Sequence, residues 1–195
     1  HENEIAQSEA ASGKEFSHYW MHNAFLNIDN KKMSKSAGNF FTVRDITAKY
    51  DPQVVRFFML SAHYRSPLNF SAELMEAAGS GLERIRTAVS NLNFLLEKAQ
   101  AKELSEEEAA LLKEAEGYTA KFDEAMDDDF NTADAIAAIF ELVKFANTHA
   151  DENSSPAFLQ GLLGQIKELS DVCGLIVEKK EEMLPEEVEE LIAKR

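Results

Sequence analysis

The sequence predicts a mainly α fold: a small α/β segment up to about residue 70, followed by an α-helical bundle over 71–195. Three observations carry that prediction. Beyond residue 80, apolar residues recur at three- and four-residue steps, the spacing that gathers them on one helix face. Ser, Thr, Asn or Pro stands at the head of these stretches, where a helix needs its first amides capped or absent. Aromatic and apolar residues that partly alternate, the strand pattern, lie over 16–28, and from Thr42 onward helical signals dominate.

Taken in order, residues 2–11 read as the end of a helix closed by Gly13. Residues 16–28 read as strand segments with a turn, and Asp29-Asn30 is turn chemistry. Residues 31–39 are polar and basic, with Gly38 near the end, and read as a loop. Thr42 with Asp45 three residues on is a variant of the capping box. Asp51-Pro52 pairs a cap with a first-turn proline and opens a helix through Val55, Phe58 and Met59. Ser66-Pro67 interrupts the chain. A long helix follows over 71–99, with Leu82, Ile85, Val89, Leu92 and Leu96 in one stripe; Gly79 and Gly81 allow either a kink or close packing. Ser105 and Glu108 form a capping box for a helix carrying Leu111 and Leu112. Asn131 or Thr132 caps the next, with Ile136, Ile139, Phe140 and Val143 on one face. A polar loop over 151–155 precedes Pro156, and Phe158, Leu162, Ile166 and Leu169 form another stripe, ended by Cys173-Gly174. Leu184-Pro185 opens a last helix that runs to Arg195.

Composition narrows the class. Apolar residues make up 45%, with 13 Phe but only 4 Pro and 8 Gly, which suits a packed core and excludes a low-complexity chain. No apolar run reaches the roughly 18 residues of a membrane helix, and the polar, acidic start is not a signal peptide. The lone Cys173 excludes an internal disulfide framework or a cysteine-rich zinc site, and reads as a small buried hydrophobe in a reduced, cytoplasmic compartment. A net charge of −15 argues against non-specific nucleic-acid binding, so any RNA has to meet a local basic patch or another part of the protein. The acidic excess lies late, around Glu106, Asp127 and 181–190, and reads as solvated faces or helix starts. Asp127, Asp128 and Asp129 fail as a calcium loop, since Thr132 and Ala138 stand where Gly and Glu are needed. They read as an acidic helix N-terminus with Asn131 capping.

The stretch that carries chemistry is Lys32-Met33-Ser34-Lys35-Ser36, followed by Ala37-Gly38-Asn39. Two lysines three apart in a loop bring two mobile ammonium groups to one place. Ser34 and Ser36 can hydrogen-bond phosphate oxygens or the loop backbone, and Gly38 permits a tight turn. Such a loop can clamp a triphosphate and stabilise the charge that develops as pyrophosphate leaves.

The whole string resembles the second signature, KMSKS, of class I aminoacyl-tRNA synthetases. Its flanks are similar to cysteinyl-tRNA synthetases in particular: His1-Glu2-Asn3-Glu4-Ile5-Ala6-Gln7-Ser8, Tyr19-Trp20-Met21-His22, 40–45, His63-Tyr64-Arg65-Ser66-Pro67 running on to Ser71, and 127–132. The resemblance implies an ATP-dependent ligase that activates cysteine and transfers it to tRNA(Cys), cytoplasmic and monomeric when intact. Lys35 matches the signature lysine assigned to ATP, with Lys32 and Ser34 supporting it. It also implies a zinc ion that binds the substrate thiol through two Cys, a His and a Glu. Glu4 matches the Glu, and the other ligands are expected upstream, so zinc belongs to the intact enzyme and not to this piece alone. In the same frame, 1–70 is the C-terminal part of a catalytic domain with the stem-contact fold. Residues 71–195 form a tRNA-binding-type helical domain ending in a linker helix, and the loop with His63 and Arg65 either faces the inner side of the tRNA or is a surface loop packed against the bundle. The nucleotide-binding half and the anticodon-reading segment have no counterpart here, so the piece by itself is expected to be inactive. Strands around 19–28 would pack on that half, leaving an exposed apolar patch through which copies can self-associate. Two other readings share features of the string: a piece of the related ligase that joins cysteine to a sugar amine, and a non-catalytic helical module that binds tRNA or protein. The match over 63–71 weighs against the first and the charge of −15 against the second.

Overall fold

The computed structural model describes residues 1–34, 36 and 38–178. Lys35 and the last helix expected over 184–195 lie outside the described residues. The first helix, α1 (Glu2–Ser12), ends at Gly13, whose φ of 67° is the left-handed conformation that closes a helix. It buries none of its own residues.

Strand structure is sparser than the alternation over 16–28 suggests. Only β1 (Leu26–Ile28) is a strand, and 14–25 is irregular. The physical reason is the supply of edges: a strand persists where a neighbour satisfies its amides. Among the described residues only 26–28 have strand neighbours on both sides. On one side lies β2 (Lys31–Lys32), so the stretch expected to be loop throughout begins as a strand. Asp29 and Asn30 make the two-residue turn between them, both with positive φ (46° and 61°), the conformation that favours Asp and Asn in such hairpins. On the other side β3 (Leu68–Phe70) runs parallel to β1, with Leu26 opposite Leu68 and Ile28 opposite Phe70. A parallel pair needs a crossover, and two helices supply it: α2 (Val43–Thr47), opened by the Thr42–Asp45 capping box, and α3 (Pro52–Leu60), capped by Asp51. The strand order is β2-β1-β3.

The bundle follows as α4 (Ala72–Lys98), α5 (Glu106–Asp127), α6 (Thr132–His149) and α7 (Pro156–Val172). Ser71, Ser105, Asn131 and Ser155 each accept a hydrogen bond from an amide of the first turn, as their positions predict. Met75, Leu82, Ile85, Ile139, Leu142, Phe158, Leu162 and Ile166 are all fully buried. Phe57 and Phe58 of α3 enter the same core. Gly81 shows why α4 needs a glycine there: a Cβ would stand 2.9 Å from the Phe57 ring. Helix α4 continues through it, and Phe57 packs closely against the glycine. The Asp127–Asp129 run corrects an expectation. Asp127 ends α5, and Asp128 and Asp129 lie in the corner before α6, so the cluster is not a helix start.

Glu108 joins two helices. One carboxylate oxygen accepts the Ser105 N–H at 3.0 Å and the other accepts the Ser155 N–H at 2.8 Å, so one side chain caps α5 and α7 together. Burial alone would raise its pKa; the amide and hydroxyl donors of Ser105 and Ser155 outweigh it and hold the carboxyl at about 2. Cys173, just past α7, is buried and free, and burial pushes its thiol up. Among the described residues no helix is long and apolar enough to cross a membrane.

Candidate functional site

The β1–β2 hairpin delivers the first signature lysine. Lys32 is the last residue of β2, opposite Asn27, and its ammonium lies 5.6 Å from the centre of the Phe25 ring. Beyond it the loop is closed by a residue that sequence reading quoted but gave no role. The Asn39 side-chain oxygen accepts the Ser34 N–H at 3.0 Å, and its amide donates to the Lys32 carbonyl at 3.2 Å. Asn39 thus joins the two ends of the loop. The signal available in the sequence was an amide side chain directly after a glycine, able to donate and accept at once. Inside the closure the Ser34 and Ser36 hydroxyls are 3.3 Å apart. Gly38 turns the chain with φ 70°. One ammonium and two adjacent hydroxyls on an exposed loop form a donor set suited to phosphate oxygens.

The loop rests on an aromatic hub. Phe70 of β3 makes edge contacts with Phe41, Tyr50 and Phe58, at centroid distances of 5.2, 6.3 and 5.8 Å. The hub ties the loop exit to α3 and hence to the bundle. The hairpin turn is held by Asn69, whose side-chain oxygen accepts the Asn30 N–H at 2.6 Å. Around this frame Phe16, Tyr19, Trp20, Met21, Phe25 and Phe40 are exposed, Tyr19 to 89%. These exposed side chains lie in the stretch where the sequence led us to expect an apolar patch.

Glu4 stands on a separate element, the exposed face of α1. Among the described residues no group of three His, Cys, Asp or Glu could hold a metal ion, so these side chains by themselves do not fit a zinc centre.

A second cluster lies between the loop after α3 and the α5–α6 corner. The Tyr64 hydroxyl donates to Asp129 Oδ1 at 2.8 Å, and Arg65 Nε lies 2.9 Å from Asp129 Oδ2. His63 stacks on the Tyr64 ring at 4.8 Å and brings Nε2 to 3.8 Å from the same carboxylate. The hydrogen bond to Tyr64, together with the Asp129 charge, raises the Arg65 pKa above its ordinary value. Asp129 and Phe130 both have positive φ, 57° and 55°, uncommon for non-glycine residues and rare in succession.

Residues 1–80 match the family model described as tRNA synthetases class I (C) catalytic domain, and residues 121–178 match the DALR domain. The cysteine–tRNA ligase of Lachnospira eligens is 60% identical over 195 residues, covering all of this chain and 41% of that protein. The cysteine–tRNA ligase of Clostridioides difficile is 54% identical over 195 residues, again all of this chain and 42% of that protein. Over its whole length the chain is similar to cysteine–tRNA ligases. It spans about two fifths of the length of these curated relatives. Among solved structures, a LeuRS of Agrobacterium radiobacter K84, in a ternary complex with tRNA and LeuAMS, superposes with a TM-score of 0.61. That match covers 76% of this chain and 20% of that one at 21% identity, and it speaks for the fold alone.

The hairpin, its loop, α3 and the Tyr64-Arg65 pair fall in the catalytic-domain match, while Asp129, α6 and α7 fall in the DALR match. The Asp129 cluster therefore bridges two separately recognised segments.

Proposed function

We propose that this chain is the signature-loop and helical part of a cysteine–tRNA ligase of the cytoplasm, which activates cysteine with ATP and transfers it to tRNA(Cys) in protein synthesis. The observation that carries the reading is the loop itself: the complete string from Lys32 to Asn39, mounted on a β-hairpin and closed by Asn39. In the first step the cysteine carboxylate attacks the α-phosphorus of ATP, and pyrophosphate leaves with its bridging electrons. Lys32, Ser34 and Lys35 donate to the departing phosphate oxygens, where negative charge grows. In the second step a terminal ribose hydroxyl of the tRNA attacks the cysteinyl carbonyl and AMP leaves. Residues 1–70 supply the loop and stem-contact part, and residues 71–195 the helical part that faces tRNA. Zinc belongs to the intact enzyme in this reading, with Glu4 as one of its ligands.

The test is cysteine-dependent ATP–pyrophosphate exchange. In the intact enzyme, Lys35→Ala is expected to lower exchange by about 10²–10³. This chain alone, supplied with zinc, is expected to give none. Exchange by the isolated chain would overturn the assignment of the rest of the adenylation site to other residues.

A further inference from the structure

We propose that Asp129 is a positioning residue for Lys32: it pins the loop over 61–67 to the α5–α6 corner and so sets where the β1–β2 hairpin presents the first signature lysine. The proposal deepens the adenylation reading given above and rests on it.

The path is continuous and short. The Asp129 carboxylate accepts the Tyr64 hydroxyl at 2.8 Å and Arg65 Nη2 at 3.3 Å, while Arg65 Nε, 2.9 Å from the same carboxylate, donates to the Tyr64 oxygen. The Tyr64 carbonyl in turn accepts the Ala24 N–H at 2.8 Å. One residue on, the Phe25 carbonyl accepts the Leu68 N–H at 3.1 Å, and the parallel β1–β3 register begins. The Phe25 ring then lies under the Lys32 ammonium at 5.6 Å. Each link on the backbone side is a hydrogen bond between fixed chain positions; side-chain adjustment is available only at the two ends.

The corner is built for this contact. Left-handed φ at both Asp129 and Phe130 costs free energy that a plain helix connection avoids. Two backbone bonds hold it, Phe130 N–H to the Met126 carbonyl and Asn131 N–H to the Ala125 carbonyl, each at 3.0 Å. The result turns the Asp129 carboxylate back toward Tyr64 and Arg65. It also explains how an acidic side chain is tolerated beyond the C-terminal end of α5, where the helix dipole disfavours it: Arg65 offsets the charge. A surface ion pair contributes little by itself. The Tyr64 hydroxyl adds a second charge-assisted donor to the same carboxylate, so the latch rests on the two contacts together.

The experiment uses the intact enzyme with Asp129→Asn, Tyr64→Phe, Arg65→Ala and the Arg65→Ala/Asp129→Ala pair with its singles. Two readouts are taken: exchange kinetics of cysteine-dependent ATP–pyrophosphate turnover, and hydrogen exchange at the Ala24 amide. The expected result for Asp129→Asn is a kcat about tenfold lower, with KM for ATP and cysteine within about twofold, and faster exchange at Ala24. The Arg65/Asp129 double variant is expected to be no slower than Asp129→Ala alone. Wild-type protection at Ala24 in Asp129→Asn, or additive losses in the double variant, overturns the proposal. A wild-type enzyme without exchange activity overturns the functional reading instead, and the Ala24 amide then still decides whether Asp129 pins the loop.

Discussion

The bundle and the signature segment are made of similar residues and held in opposite ways. In α4–α7 the large apolar side chains face one another, and Phe158 and Leu162 lose all contact with solvent. In 14–41 side chains just as apolar stand in water, Phe25 at 71% exposed and Tyr19 at 89%. The bundle is fixed by burial. The signature segment is held by a few hydrogen bonds, at Asn39, Asn69 and Tyr64, and by the Phe70 hub at the loop exit. The difference teaches where function has room: lightly packed backbone can shift to meet a ligand, and densely packed helices cannot.

The comparison can be broken most severely in the bundle. Phe158→Ala is expected to cost about 3–5 kcal/mol, read by urea unfolding followed by helical circular dichroism, because the cavity has no route to collapse. A loss under 1 kcal/mol would mean that the core around α7 is loose. Next comes Glu108→Gln, expected to cost about 2 kcal/mol at neutral pH, since a neutral amide replaces the charge that caps two helices. The sign with pH follows from the lowered pKa. The folded state prefers the ionised carboxylate, so the stabilisation is present above the ordinary carboxyl range and is lost as pH falls from about 4.5 toward about 2. The gap between wild type and variant should close over that window; a gap independent of pH would sink the double-cap account.

In the signature segment the same size of change should move activity and leave stability alone. Asn39→Ala in the intact enzyme is expected to lower ATP–pyrophosphate exchange about tenfold with little change in melting temperature, because it opens the loop without touching the core. Matching losses of both would make Asn39 a folding residue. Smallest of all, Tyr19→Ser should shift unfolding by less than about 0.5 kcal/mol, as expected for a solvated side chain. A larger loss would show that Tyr19 packs on something beyond its present surroundings.

Much of the bundle was legible from the chain because its determinants are local. Ser105 and Glu108 sit three apart, and the box they predict forms; Ser71, Asn131 and Pro156 likewise mark helix starts. The strands were less so. Leu68–Phe70 is too short to show a period, and becomes a strand only because the α2–α3 crossover returns it to β1. The 16–28 alternation promised more strand than its neighbours support. The lysines and serines of the signature were readable as a string, whereas the closure by Asn39 depended on which carbonyl the turn brought within reach.

By itself the sequence determined the described helices, their caps, the Asp29-Asn30 turn and the signature string, since each rests on residues close together in the chain. Tertiary structure alone decided that Glu108 also caps α7 from 47 positions away. It alone decided that Asp129 meets Tyr64 across a separation of 65. The physical reason is one of range: propensity and capping act within a turn or two, while a carboxylate chooses its distant partner only after packing has brought that partner within hydrogen-bonding distance.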